Sequence, residues 1–258
     1  MQPNTPHFVL TLQSAICHSG HFYAMSTIQD MIFRVYHSFV VGKKVTNIQH
    51  NEDARLLLQR LLIYTHYTLI KCGIQPELTT TPHIPDISVF EGAIDFFMLC
   101  VIMELGDLIN PQVYKKRHWQ SHNHDYNCLC TIHSHGLARE LMKWWCNRYI
   151  CYDPTEDKHI KGNHIFKMLL SQHINVLISY KKIAEEKDIK GEETECTANN
   201  LESLIQMYFP SVSISHEQCD GEGFKWKGAM YIIKTQPSRM QATHKSMFSF
   251  RLRRKIRT

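Results

Sequence analysis

The stretch "SVFEGAIDFFMLCVIMELGDLINP" (residues 88–111) decides the fold, because as a helix it would be apolar around most of its circumference. Ser88 and Glu91 have the spacing of a capping box, and Asn110 followed by Pro111 provides a stop. Three acids interrupt the apolar run: Asp95, Glu104 and Asp107. They leave it short of the roughly 20 apolar residues that a bilayer span needs. The sequence therefore predicts the central buried helix of a soluble protein.

Helices are also predicted on both sides of this segment. Apolar residues recur at three- and four-residue steps in four longer segments and one short one: 23–41, 51–73, 136–150, 163–187 and 201–209. Asn51 and Asn163 are suitable N-cap residues, and Gly73 is a suitable C-cap. Prolines and threonines in 74–86 indicate an extended connection, and 151–162 is predicted to be a loop. The chain is thus expected to be mainly α, a multi-helix globular domain.

Alternating polar and apolar residues replace the helical period after Pro210. Residues 211–215 and 224–235 are predicted to be strands joined by a turn at 220–223, which gives a small β-strand pair near the C-terminus. Four regions are then predicted: a helical core domain, an acidic linker, a short helix with the strand pair, and a basic tail. Their bounds are 1–187, 188–200, 201–248 and 249–258.

The cysteines and the charge distribution indicate the compartment. The nine cysteines are an odd number, they are scattered, and no export signal precedes them, so a disulfide framework is disfavoured. Cytosol or nucleus is expected. Ten of the 29 basic residues lie in 225–258, where there is no acid, so the preceding residues carry 19 bases against 24 acids. This asymmetry indicates an acidic partner for the C-terminal region.

Five basic residues are concentrated in the tail: Arg251, Arg253, Arg254, Lys255 and Arg257. They resemble a nuclear import signal or an arm that contacts the phosphates of nucleic acid. The alternative is a solvated chain end. No aromatic residues are interleaved with these charges, so base stacking is not indicated.

The stretch "HWQSHNHDYNCLCTIHSH" (118–135) is a candidate zinc site. Side chains two residues apart share a face in extended chain, so each His-x-His pair could reach one ion. The candidate ligands are Cys128, Cys130, His133 and His135, with His122 and His124 as alternates and Cys146 or Cys151 as substitutes. A Cys-x-Cys pair is tighter than the usual zinc knuckle, and seventeen histidines are spread over the chain. A hydrated polar loop is the alternative.

Motifs that usually reveal an enzyme are missing from the sequence. There is no H-E-x-x-H zinc hydrolase signature, no deaminase signature, no phosphate-binding glycine loop and no nucleophile elbow. We expect a protein without catalytic residues. The competing hypothesis is a zinc-dependent hydrolase built on 118–135, with Asp125 as the nearest carboxylate in sequence.

Trp144 and Trp145 form an adjacent aromatic pair on a predicted helix. Adjacent helical side chains point about 100° apart, so the two rings cannot share a narrow seam. We expect one tryptophan to close the core and the other to anchor a partner, since tryptophan is enriched at interfaces. A wide core face that holds both is the alternative.

Three segments, in this order, carry a resemblance to a known family: "RLLIYTHYTLIKCGIQPEL" (60–78), "PDISVFEGAIDFFMLCVIMELGDLINPQVYK" (85–115) and "CLCTIHSHGLARELMKWW" (128–145). The chain resembles the late-gene regulators of beta- and gammaherpesviruses, and more narrowly a roseolovirus member. The likeness extends over residues 20–185.

The resemblance implies a nuclear, non-enzymatic protein that is required for viral transcription after DNA replication. Members of that family act in a viral pre-initiation assembly with sibling viral subunits and host RNA polymerase II, and they are credited with promoting elongation. The family has no catalytic residues to carry over, and no membrane partner is implied. "NCLCTIHSH" (127–135) also partly resembles the adenovirus early regulator that recruits a ubiquitin ligase, which makes a Cys/His-rich adapter the alternative.

Overall fold

The computed structural model describes residues 28–41, 50–73, 84–114, 132–189, 196–214 and 230–235. They form a mainly helical fold with one small antiparallel sheet, which confirms the predicted fold class. The helices are α1 (Ile28–Val41), α2 (His50–His66), α3 (Phe90–Glu104), α4 (Ile132–Cys146), α5 (Gly162–Glu186) and α6 (Ala198–Tyr208). A π-helical turn (Tyr67–Lys71) continues α2, and a short 3-10 helix (Pro111–Tyr114) follows α3. The strands are β1 (Tyr149–Asp153), β2 (Lys158–Ile160) and β3 (Tyr231–Lys234).

Helix α3 is the centre of the fold. Its side chains are buried without interruption from Gly92 to Met103. Helices α1, α2, α4 and α5 all pack against it. Burying a large apolar side chain such as Phe96 or Phe97 contributes about 2 kcal/mol. The prediction of a central buried helix is therefore confirmed.

The start of α3 differs from the predicted capping box. The N-cap residue is Val89, which makes no side-chain cap. The Ser88 hydroxyl and backbone N–H both donate to the carboxylate of Asp86. The capping-box prediction was wrong because Asp86 closes a tight turn just before the helix and takes the serine as its own partner. The end of α3 also differs, since the helix stops at Glu104 and a buried turn follows.

The other helices match their predicted segments apart from their ends. Helix α4 begins at Ile132 and ends at Cys146, so it is displaced toward the N-terminus of the predicted 136–150. Helix α5 has Lys161 as its N-cap residue, and Asn163 instead accepts a hydrogen bond from the Cys146 thiol. Helix α6 begins before residue 201, because Thr197 caps it by accepting from the backbone N–H of Asn200.

The sheet corrects two predictions. Residues 151–162 were expected to be a loop, but they contribute most of the β1–β2 hairpin, whose turn is held by Asp153 accepting from the Thr155 N–H. Strand β3 lies within the predicted strand 224–235, yet its partner is β1, with Ile150 opposite Ile233. Residues 211–214 form no strand. The strand order is β2-β1-β3.

Residues on both sides of the predicted acidic linker share one hydrophobic core. Leu201 and Ile205 of α6, together with Met230 before β3, belong to the same buried cluster as α3. Helix α6 packs against α5. The division of the chain into domains stays a prediction, and these contacts join the regions that it separates. Among the described helices, none is long and apolar enough to cross a bilayer.

Candidate functional site

Most residues of the predicted zinc site and the whole basic tail lie outside the described ranges. This applies to His122, His124, Asp125, Cys128, Cys130, Arg251, Arg253, Arg254, Lys255 and Arg257. His133 and His135 are described, and both lie in the first turns of α4. Residues two apart on a helix point about 200° apart, so the expectation that this pair shares a face was wrong. His133 is exposed and His135 is half-buried.

The two substitute thiols have structural surroundings. Burial raises the pKa of Cys146, whose thiol donates to the Asn163 side-chain oxygen at 3.2 Å. Burial also raises the pKa of Cys151 in β1 to about 12. Metal binding needs the thiolate, so both positions disfavour it. Within the described ranges no three His, Cys, Asp or Glu side chains are grouped to hold a metal ion, and zinc on 118–135 stays a prediction.

The tryptophan pair has one fully buried member and one half-buried member that packs against the edge of the core. Trp145 is fully buried, its indole N–H donates to the Ile87 carbonyl at 3.4 Å, and its ring meets Phe97 edge-on. Trp144 is half-buried, and the guanidinium of Arg148 lies 4.6 Å from the centre of its ring. Trp145 therefore closes the core. The role of Trp144 as a partner anchor stays a prediction.

One buried and one partly buried polar pair link α1 to the rest of the core. Tyr36 of α1 and His173 of α5 are hydrogen-bonded at 3.1 Å, and burial lowers the pKa of His173 to about 4. The Gln29 amide of α1 donates to Asp95 of α3 at 3.2 Å, and burial raises the pKa of Asp95 to about 6. Both pairs lie inside the helical core and link helices there, so we assign them to the architecture.

A polar groove of about 510 Å³ runs along α6. Its lining residues are Asn199, Glu202, Ser203, Gln206 and Ile214. Glu202 forms an ion pair with Lys182 of α5 at 2.7 Å, so its carboxylate already has a partner. The groove therefore offers little unpaired chemistry to a ligand.

The exposed side of α2, continued by the π-helical turn, carries several large apolar side chains. Six of its exposed side chains form what we call the α2 seam: Leu57, Arg60, Ile63, Tyr64, Tyr67 and Lys71. The exposed fractions of its apolar members are 37% for Leu57, 40% for Ile63, 40% for Tyr64 and 59% for Tyr67. Leu58, Leu62 and Leu69 on the opposite side are buried in the core. The helix is therefore apolar on two opposite faces, of which the core covers only one.

The π-helical turn lies at the C-terminal end of the seam. The backbone N–H of Cys72 donates to the Tyr67 carbonyl at 2.9 Å, five residues earlier in the chain. This turn keeps Thr68 and Leu69 buried while Tyr67 and Lys71 remain exposed. Turns of this kind occur frequently at functional sites. At 1.5 Å per residue, the seam is about 21 Å long.

The charge on the seam is positive. Among the described side chains from Arg55 to Gly73 there are two arginines and one lysine but no acid. Glu140 of α4 lies beside the C-terminal end, where it accepts a hydrogen bond from the ring N–H of His66 at 2.6 Å. That bond lowers the pKa of Glu140, and the charges of Lys71 and His133 act in the same direction. In the described part of the chain, the Glu140 carboxylate beside the seam thus already has a partner.

The sequence contained a signal for the seam that its periodicity concealed. The segment 51–73 fits an amphipathic helix, and its inner leucines explain that fit. Leu57, Ile63, Tyr64 and Tyr67 fall on the side that should be polar, and this excess is visible without a structure. Comparisons of the chain with protein-family models, with characterised proteins and with solved structures gave no match.

Proposed function

We propose that the chain is a non-enzymatic interaction subunit of a viral transcription complex. In this role it supports late viral gene expression together with sibling viral subunits and host RNA polymerase II, and it promotes elongation. The three segments that resemble the herpesvirus late-gene regulators support the viral part of the proposal. The α2 seam supports the interaction part.

The seam is the single observation that carries the proposal. A row of four large apolar side chains in water is unfavourable unless another surface covers it, and such patches mark protein interfaces. Tyrosine is enriched at the energetic centres of interfaces. Tyr64 and Tyr67 of the seam lie three residues apart, on adjacent helical turns. Amphipathic helices commonly bind partners through anchor side chains that are three or four residues apart.

The basic tail fits the same proposal as a nuclear import signal or a phosphate contact. Its charge would give salt-sensitive binding without base specificity. We place the protein in the host nucleus on this basis. Trp144 is a second candidate anchor, on α4.

Affinity purification of the full chain from infected cells tests the proposal. We expect viral late-transcription subunits and RNA polymerase II to be recovered. The double variant Ile63→Glu, Tyr67→Glu should lose most of that recovery, because charges replace two apolar anchors. Met207→Glu is the matched control, since Met207 of α6 is 63% exposed and lies outside the seam. Recovery of ubiquitin-ligase subunits alone would replace the proposal with the adapter.

A further inference from the structure

We propose that the α2 seam binds an acidic amphipathic helix of a partner protein. This inference rests on the proposed function and adds the chemistry of the partner. It is carried by the spacing of the seam residues and by the position of Arg60 among them.

The spacing fits a helix as the occupant. Leu57, Arg60, Tyr64, Tyr67 and Lys71 are separated by steps of three, four, three and four residues. This is the spacing at which one helix packs along another. A row about 21 Å long corresponds to about four turns of a partner helix.

Arg60 decides the charge of the partner. It lies within the row, between Leu57 and Tyr64, and it has no ion pair in the described part of the chain. A partner that covers the apolar members must also remove water from around this guanidinium. This desolvation is unfavourable unless a carboxylate of the partner pairs with the guanidinium. The occupant is therefore apolar along its contact face and acidic opposite Arg60.

A second copy of this chain fits the seam less well. Two facing seams would bring together four cationic side chains, Arg60 and Lys71 from each copy, without an acid on either row. Like charges at an interface oppose association. The electrostatics therefore favour a different, acidic protein.

Photocrosslinking in infected cells tests the occupant directly. A photoreactive amino acid replaces Ile63 in the full chain, and a second chain carries it at Met207 as a control. We expect Ile63 to crosslink to a net acidic segment of another protein, with apolar residues at three- and four-residue steps. A crosslink to this chain or to a second copy overturns the proposal. A crosslink to a basic segment also overturns it, as does a crosslinked product at residue 63 that is no more abundant than that of the Met207 control.

A charge exchange tests the role of Arg60 in the purified chain. The probes are two synthetic helical peptides of about four turns, with leucine on the contact face and either glutamate or lysine beside it. We expect the glutamate peptide to bind roughly tenfold more tightly than the lysine peptide. Arg60→Glu should reverse this preference, and Lys167→Glu on the exposed surface of α5 should leave it unchanged. Equal affinities, no binding of either peptide, or no reversal would each contradict the proposal.

The two proposals fail in different ways. Recovery of the late-transcription subunits without any dependence on the charge at residue 60 leaves the proposed function standing and removes the acidic helix. Reversal of the peptide preference without recovery of those subunits keeps the acidic helix and removes the proposed function.

Discussion

Gly92 and Gly136 are helical glycines for which the structure predicts opposite effects of the same substitution. A Cβ atom on Gly92 would lie 2.1 Å from the carbonyl oxygen of Asp86, which belongs to the turn before α3. A Cβ atom on Gly136 of α4 would meet nothing within 4 Å. Gly92→Ala should lower the free energy of unfolding by about 2 to 3 kcal/mol, since backbone must move. Gly136→Ala should raise it by about 0.5 to 1 kcal/mol. Urea denaturation of both variants measures this, and equal effects would contradict the packing at Asp86.

His173 and Asp95 make opposite contributions to stability as the pH falls. The pKa of His173 is about 4 in the folded chain and about 6.5 in an unfolded one. Below pH 6.5 the unfolded state therefore binds a proton that the folded state does not, and stability falls. The pKa of Asp95 is about 6 when folded, against 3.8 as its ordinary value. Between these values the folded state binds the extra proton, so stability rises on acidification.

Removing either group should therefore change the slope of stability against pH. Relative to wild type, His173→Gln should remove the contribution that lowers stability between pH 6.5 and 4, even though it weakens packing at pH 7. Asp95→Asn should remove the contribution that raises stability on acidification and should add roughly 1 kcal/mol at pH 7, where the wild-type carboxylate is charged and poorly solvated. The free energy of unfolding of each variant, measured by chemical denaturation at pH 7 and at pH 5, distinguishes the two effects. Parallel slopes in both variants would show that neither group is perturbed by burial.

At the scale of elements, the sequence predicted where helices lie better than where they begin and end. The first turn of α4 has no apolar period, yet Ser134 is fully buried and its hydroxyl accepts from the Gln59 amide of α2 at 3.0 Å. That tertiary contact extends the helix toward its N-terminus, and no local pattern reveals it. The β1–β2 hairpin was missed for a similar reason. Its strands are short, and β1 is completed by a strand from far along the chain.

Helix α6 offers a test of one such boundary. The Thr197 hydroxyl accepts from the Asn200 N–H at 3.1 Å, and Glu185 of α5 accepts from the Ala198 N–H at 2.8 Å. Thr197→Ala should lower the free energy of unfolding by about 1 kcal/mol, because the N-cap bond is lost. Thr197→Ser retains the hydroxyl and should be close to wild type. Chemical denaturation measures the difference, and an equal loss in both variants would indicate that the cap bond contributes nothing.

At the scale of the whole molecule, stability and partner binding should be separable. Trp145 is completely buried, whereas the seam side chains lie outside the core. Trp145→Ala should lower the free energy of unfolding by about 3 to 5 kcal/mol and reduce binding through unfolding. Ile63→Glu with Tyr67→Glu should change it by less than about 1 kcal/mol and still abolish capture of partners. Thermal melting beside affinity purification measures both. A large loss of stability in the seam variant would mean that the seam belongs to the core.

The order of the strands in the sheet also affects how the chain folds during its synthesis on the ribosome. Strands β1 and β2 are close in the chain and can pair as soon as both have emerged. Strand β3 emerges only after α5 and α6. Until then, the edge of β1 from Tyr149 to Tyr152 lacks the strand with which it pairs in the folded protein. Open strand edges invite pairing with other chains. A nascent chain halted before β3 should therefore aggregate more readily than one that includes β3, because pairing with β3 covers this edge of β1.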